Sequence, residues 1–354
     1  MKPGLSMAAD FPRIGIIGCG AVTEHRHLPA LAALQMRPAL LVDTNVARAR
    51  ELAKSSGALH VSDRYEPWIE EIDAAIVALP HHLHAPVAID LLRRGIHVLV
   101  EKPLAMDRVQ CEAVIAAAAE SGKVLAVGLM RRFRHGVRWL KSALDAGVFG
   151  PITSFDVREG WVYGWPVASS FFVQREASGG GVLADLGAHT LDLLLWWLGE
   201  PESFEYSDDS YGGVEADCML HLKMRGGAEG IVELSRTRQL RNSALFRGDR
   251  GEVEISFDER RLKVLSAKPE KLLSYEADGL RGDLLPEQRF LELFEAQIQD
   301  WLVAIRSGGS PRVSGADATR AILLTEACYA KRRLWELPWV HPTGETAPAA
   351  VGGA

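Results

Sequence analysis

The strongest constraint on this chain is a rhythm in its first third. Short apolar runs at 13–17, 39–42, 74–79, 97–101 and 124–127 alternate with helix-period stretches at 28–34, 46–55, 86–94 and 108–121. Strand and helix alternating in this way predict βαβ units and hence a parallel, doubly wound sheet. Two of the runs, "AAIVAL" and, after its leading histidine, "HVLV", are continuously apolar rather than alternating. A strand has that composition when helices cover both its faces, as they do in a parallel sheet.

After about residue 130 the rhythm changes. "FGPITSFDVREGWVYGW" is strand-like, three glycines at 179–181 precede a strong helix at 183–198, and strand-like segments then follow one another directly. "ADCMLHLKM" and "EGIVELS" flank "RGGA", a hairpin signal, and "SALFRGDRGEVEISF" and "RLKVLSA" extend the series. Strands without intervening helices pair antiparallel. The expected fold class is therefore α/β, an N-terminal doubly wound parallel sheet plus a C-terminal α+β domain with a large, mostly antiparallel sheet. Helices at 290–307 and 316–334 would close it. The expected division is a dinucleotide-binding domain at 1–130, a substrate-binding and oligomerisation domain at 131–341, and a flexible tail of small residues, proline and glycine at 342–354.

A length of 354 residues, 47% of them hydrophobic, allows two units with real cores. The net charge of -6 and the absence of a Lys/Arg run argue against a nucleic-acid partner. Cys19, Cys111, Cys218 and Cys328 are far apart and form no CxxC pair, so they read as reduced core thiols of a cytoplasmic protein. No apolar stretch is long enough to cross a bilayer, so no membrane partner is expected. "MKPGLSMAAD" lacks the apolar region of a signal peptide.

"RIGIIGCGAV" puts Gly18, Gly20, Ala21 and Val22 in a turn between a strand and a helix, with Thr23 where a third glycine is usual. In such a turn the first glycine makes the bend and the second lets backbone approach a pyrophosphate. Asp43, at the end of "ALLVD", lies 23 residues after Gly20, the separation of a carboxylate that bonds an adenosine ribose. The alternative for Asp43 is a turn or cap residue. A carboxylate there repels a 2′-phosphate, which favours NAD over NADP; Arg48 nearby is the counter-argument.

In "GGGVLADLGAHTLDLL", Asp185, His189 and Asp192 fall at i, i+4 and i+7 and share one face of a largely apolar helix. Buried polar groups need partners or a purpose, so this face reads either as a reacting site or as a satisfied structural network. The glycines would let backbone come close to a ligand. In "PHHLHAP", Leu79, Pro80, His81, His82 and His84 follow the carboxyl end of a strand, where open α/β sheets bind ligands. Their close spacing suits a tetrahedral metal site poorly, and no metal is expected. "VLVEKPLA" ends a strand on Glu101 and Lys102, and Pro103 biases Lys102 towards extended backbone.

In that order the glycine turn, "PHHLHAP", "GIHVLVEKPLA" and "GGGVLADLGAHTLDLLLWWLG" resemble the Gfo/Idh/MocA oxidoreductases, the relatives of glucose–fructose oxidoreductase and inositol dehydrogenase. The resemblance runs from about residue 13 to about 334. It implies a Rossmann domain, a C-terminal domain whose sheet often forms the subunit interface of a homodimer or homotetramer, and a substrate cleft between the two. It further implies that Lys102 is the catalytic lysine and that Asp185 and His189 are the Asp-x-x-x-His pair. The peptide before Pro103 would often be cis, and His84 would pass the nicotinamide end. Gly18, Gly20, Ala21, Val22, Asp43, Arg48, Leu79, Pro80, His81, His84, Glu101 and Lys102 are then the expected cofactor contacts. Thr23 departs from the pattern and is expected to loosen helix–strand packing; His81 stands where asparagine is common.

The reaction so implied is hydride transfer between nicotinamide and a carbinol or ketone carbon. His189 would act as general base, Lys102 would stabilise the alkoxide, and Asp185 would orient the substrate or the histidine and supply countercharge to Lys102; Lys102 as proton acceptor is the alternative. Trp161, Tyr163 and Trp165 offer flat faces for a carbohydrate, and Arg131 and Arg132 donors for a phosphate or carboxylate. The tryptophans read equally as core or interface. A sugar, sugar nucleotide or cyclitol is the expected substrate. The alternatives are an NAD-retaining glycosidase that oxidises, eliminates and reduces, or a non-catalytic NAD-binding protein.

Overall fold

A computed structural model describes residues 11–164, 170–257, 261–266, 272–276 and 286–337. The first sheet is built from the five expected runs and one edge strand outside them, His60–Ser62, which is polar at both ends. Strands β1 (Ile14–Ile17), β2 (Leu40–Val42), β3 (His60–Ser62), β4 (Ala74–Val77), β5 (His97–Val100) and β6 (Leu125–Val127) pair in parallel in the order β3-β2-β1-β4-β5-β6. Helices α1 (Leu28–Ala33), α2 (Val46–Ser56), α3 (His84–Arg93) and α4 (Arg108–Ser121) connect them. The order reverses between β1 and β4, so a crevice opens at the carboxyl ends of those strands, where such folds take a dinucleotide. Every residue of β1 and β4 is buried, which is why those runs carry no polar alternation.

Next come α5 (His135–Asp145), β7 (Ile152–Gly160), the short α6 (Arg175–Ser178), α7 (Val182–Leu198), and then β8 (Pro201–Asp208), β9 (Asp217–Met224), β10 (Glu229–Ser235), β11 (Ser243–Gly248), β12 (Gly251–Ser256), β13 (Arg261–Ser266) and β14 (Leu272–Glu276). Helices α8 (Pro286–Ser307) and α9 (Gly315–Ala330) and a two-residue strand, β15 (Arg333–Leu334), complete the order. The second sheet runs β14-β13-β12-β11-β7-β10-β9-β8-β15. It is mostly antiparallel as expected, but β7 lies parallel to β10, and β15 to β8.

The helix expected over 316–334 stops at Ala330. Arg332 is drawn to Asp208, 2.6 Å away, and the Trp335 amide donates to the Asp208 carbonyl, so the chain turns onto the sheet edge instead of continuing. The helix expected at 28–34 is preceded by a π-helical turn, Thr23–His27.

Two apolar cores form. The first gathers the parallel sheet and its helices, together with Leu293, Phe294, Ile298, Trp301 and Leu302 from α8 and Ala318 and Ile322 from α9. The second lies between α5, α7 and the nine-stranded sheet, and α9 adds Ala321, Leu324 and Cys328. The C-terminal helices thus belong to the nucleotide-side core as much as to the other. No described helix is long and apolar enough to cross a membrane.

Candidate active site

The glycine turn closes tightly on the sheet. Gly18 has φ +103°, and a Cβ there would lie 2.1 Å from the Ala78 carbonyl oxygen, so only glycine fits. A Cβ on Gly20 would meet nothing within 4 Å, leaving open space over the turn for a bulky ligand. Thr23 is fully buried and its hydroxyl donates to the Gly18 carbonyl at 2.6 Å. Instead of loosening the helix–strand contact, Thr23 ties the turn to the helical segment after it. Asp43 accepts from the amides of Cys19 and Asn45, each at 2.8 Å, and so holds its carboxylate at the mouth of the turn. That is turn-fixing work, with carboxylate lone pairs left for a ribose. Arg48 pairs with Glu24 and Glu51, so the expected cofactor contact is a cation already engaged by carboxylates.

Leu79 and Pro80 lead from β4 into the histidine loop, whose rings serve the protein. His84 is fully buried, with Nδ1 2.7 Å from the Pro103 carbonyl and Nε2 2.8 Å from that of Leu79. It staples together the loops that follow β4 and β5. Burial pushes its pKa down. His81 donates from Nδ1 to the Ser178 carbonyl at 2.7 Å. Burial, with His84 and Lys102 nearby, lowers its pKa to about 3, so its ring is neutral. His82 lies 3.3 Å from the Ala177 carbonyl. Among the described residues no group of three or more His, Cys, Asp or Glu could hold a metal. Glu101 is buried on His27, 2.8 Å from Nε2. Its side chain thus faces inward, and its other oxygen accepts from the Lys102 amide at 3.2 Å. Burial would raise its pKa, but His27 and Lys102 prevail and it lies below the ordinary value.

The Lys102–Pro103 peptide is cis. The Lys102 ammonium, at the end of β5, meets α7: it bonds the Asp185 carboxylate and, at 3.1 Å, the Asp185 carbonyl. Asp185 is gripped from its other oxygen by Arg236, 2.6 Å away. Burial pushes this carboxyl up, but the two cations outweigh it and hold its pKa far below the carboxylate range. His189, one turn further along α7, is 6% exposed, and its Nδ1 has no partner among the described residues. Burial, then Arg131 and Lys102, push its pKa well below the usual value against the pull of Asp185, leaving a neutral ring.

Sequence reasoning missed Arg236. It stands just past β10, and because β10 runs parallel to β7, the Tyr163 amide reaches the Arg236 carbonyl at 2.8 Å. The guanidinium lies over the Tyr163 ring at 4.9 Å. Also missed was Glu215, fully buried, which accepts from the amides of Gly181 (2.9 Å) and Leu183 (3.0 Å) and from the Tyr329 hydroxyl (2.7 Å). It caps the helix that carries Asp185 and His189. The glycines are explained by the same contacts: a Cβ on Gly181 would lie 1.9 Å from the Glu215 carbonyl oxygen, and one on Gly180 would lie 1.9 Å from the Tyr329 hydroxyl. They admit protein groups, not a ligand.

Arg131 and Arg132, expected to hold substrate, are buried in structural pairs. Arg131 makes two bonds to Glu159, at 2.8 and 2.6 Å, and the Thr190 hydroxyl joins the same carboxylate at 2.6 Å. Arg132 makes two bonds to Asp192, at 2.8 and 2.5 Å, and reaches Asp317 at 3.2 Å. Asp192 therefore leaves the polar face shared with Asp185 and fastens α7 to the nucleotide side. Trp161 is exposed, and Trp165 lies outside the described residues.

Residues 12–129 match a family described as an oxidoreductase family with an NAD-binding Rossmann fold, and residues 137–254 match the GFO/IDH/MocA C-terminal domain. The chain belongs to the Gfo/Idh/MocA oxidoreductase family. It is an NAD-dependent oxidoreductase, and the open space at Gly20 beside Asp43 fits that cofactor. A putative UDP-kanosamine synthase oxidoreductase subunit of Amycolatopsis mediterranei is 35% identical over 195 residues, 54% of this chain and 53% of that one. Inositol 2-dehydrogenase 2 of Paenarthrobacter aurescens is 25% identical over 336 residues, 89% of this chain and 94% of its own. The fold is shared with an oxidoreductase domain protein from Kribbella flavida (TM-score 0.81, 22% identity, 91% and 97% of the two chains). It is shared also with a levoglucosan dehydrogenase in complex with NADH (TM-score 0.79, 23% identity, 90% and 96%).

Proposed function

We propose that this family member interconverts a carbinol and a ketone on a sugar, sugar nucleotide or cyclitol, with Lys102, Asp185 and His189 as its catalytic residues. The observation that carries the reading is the meeting of Lys102, from the end of β5, with Asp185 and His189 on one face of α7. The names of relatives, which include inositol and scyllo-inositol dehydrogenases and sugar-nucleotide reductases, support the substrate class.

Bound NAD supplies the hydride acceptor, or in reverse the donor. His189, held neutral by burial and by the cations around it, takes the hydroxyl proton. Lys102 donates to the reacting oxygen and stabilises the negative charge that grows there. Its ion pair with Asp185 suits a charged donor better than a proton acceptor, so His189 carries the proton in this assignment. Asp185 fixes the Lys102 ammonium, and Glu215 and His84 hold the two elements that bring the residues together. Assembly as a homodimer or homotetramer in the cytoplasm belongs to the same reading; the four free, buried cysteines suit a reducing compartment.

The test is an NADH-linked screen of sugars, cyclitols and keto-sugars, with Lys102→Ala and His189→Ala as controls. Turnover that falls about 10²-fold or more in both variants is expected. No change in NADH absorbance across the panel, or full turnover by either variant, would refute the assignment.

A further inference from the structure

The charges around Asp185 do not cancel. Two cations, Lys102 and Arg236, share its single carboxylate, and among the described residues neither has another anionic partner. The third cation close by, Arg131, is neutralised by Glu159, while His189 and His81 are neutral rings. Lys102, Arg236 and Asp185 by themselves therefore carry one positive charge in excess, and Glu101, the other carboxylate beside Lys102, is bonded to His27. The cluster is also short of acceptors. Arg236 uses Nη2 on Asp185, and its Nε and Nη1 bond nothing among the described residues. The Arg236 side chain is 13% exposed. The ring beneath the guanidinium, Tyr163, has its own orphan: a buried hydroxyl with no partner among the described residues. A buried hydroxyl without a partner costs free energy unless something bonds it, and here it lies beside an under-used guanidinium.

We propose that Arg236 and Tyr163 form an anion subsite that selects a sugar carboxylate, an aldonate or uronate, whose carbinol is presented to Lys102 and His189. This rests on the reading of Lys102, Asp185 and His189 given above. Arg236 supplies the planar donors that a carboxylate accepts, and Tyr163 both stacks under the guanidinium and donates its hydroxyl. A carboxylate carries the single negative charge that balances the cluster, whereas a phosphate monoester carries about −1.5 to −2 and would overshoot it. The π-stacked, half-committed Arg236 then has two roles: it fixes Asp185 through one nitrogen and reads the substrate with the others.

The experiment compares D-glucuronate, D-galacturonate and D-gluconate with D-glucose and D-galactose, by NADH-linked turnover and by calorimetric titration of the NAD-loaded enzyme. Parent, Arg236→Gln, Arg236→Lys and Tyr163→Phe proteins are used. The parent is expected to favour the acids over their neutral counterparts by 10-fold or more in kcat/KM. Arg236→Gln should reduce that ratio to near one, Arg236→Lys should keep part of it, and Tyr163→Phe should raise KM for the acids more than it lowers kcat. Equal use of acids and neutral sugars by the parent, or equal losses on both in Arg236→Gln, would overturn the subsite and leave Arg236 as a support for Asp185. If no compound is turned over, the hydride-transfer reading falls. The subsite then stands only if titration shows acid binding that Arg236→Gln abolishes, and absence of such binding overturns it as well. Arg236→Lys, which keeps the cation, covers the case in which the glutamine variant fails to fold.

Discussion

Replacing Glu215 with alanine tests how the site is held. The carboxylate is fully buried and accepts three hydrogen bonds, from the Gly181 and Leu183 amides and the Tyr329 hydroxyl. Each buried donor left bare costs about 1–3 kcal/mol, so three set a range of about 3–9 kcal/mol. Water admitted to the vacated polar space returns part of that, so a loss of about 3–4 kcal/mol is expected. Glu215→Gln keeps the volume and an acceptor oxygen but loses the charge facing the start of α7, worth up to about 2 kcal/mol in such a buried position. The expected order is parent, then glutamine, then alanine, with kcat falling in the same order because Asp185 sits in the first turn of α7. Urea unfolding followed by tryptophan fluorescence reads the stabilities, with an unchanged m-value as the check that the transition is the same one. An alanine variant within about 1 kcal/mol of the parent, against the 1–3 kcal/mol expected of even one bared donor, would show that the cap does not hold the helix.

Three further outcomes follow from the same geometry. Because His189 is held well below its ordinary pKa, and a base works unprotonated, kcat/KM for alcohol oxidation should stay level as pH falls through 6.5 and decline only below it; a pH–rate profile with its acid limb centred near 7 would contradict this. Asp43→Ala removes the carboxylate at the mouth of the glycine turn, so KM for NAD should rise about 10-fold or more and the preference over NADP should shrink, as read by initial rates with each cofactor. Glu159→Gln leaves the buried Arg131 without its countercharge, so about 3–5 kcal/mol of stability should be lost in the same urea assay.

The fold was legible because its two halves have different periodicities. Residues 74–79 and 98–100 are apolar throughout since β4 and β5 lie inside a parallel sheet, and the strands after α7 follow one another without helices between them. The end of α9 was not legible, because its stop comes from an ion pair to Asp208, a residue more than a hundred positions away. In the site, Lys102, Asp185 and His189 could be singled out because a charge ending an apolar strand and a polar face on an apolar helix both violate the local pattern. Arg236 and Glu215 violate nothing locally. Their roles come from the parallel register of β7 and β10 and from a loop folding back on α7, neither of which spacing reveals. The glycines at 180 and 181 announced a close approach without saying what approaches. Arg131 and Arg132 misled for the converse reason: an arginine near a predicted cleft looks the same in sequence whether its carboxylate belongs to a substrate or to Glu159 and Asp192.

The packing of α8 bears on how the protein is made. Leu293, Phe294, Ile298, Trp301 and Leu302 form a wall of the core whose strands come from residues 14–127. Domains made early in synthesis usually close while the rest of the chain is still being added. Here the six strands can pair early, yet one side of their core stays bare until some three hundred residues have left the ribosome. A nascent chain paused before α8 therefore exposes apolar surface that only its own C-terminal helices can cover, and a fragment ending near residue 130 would carry that bare surface permanently.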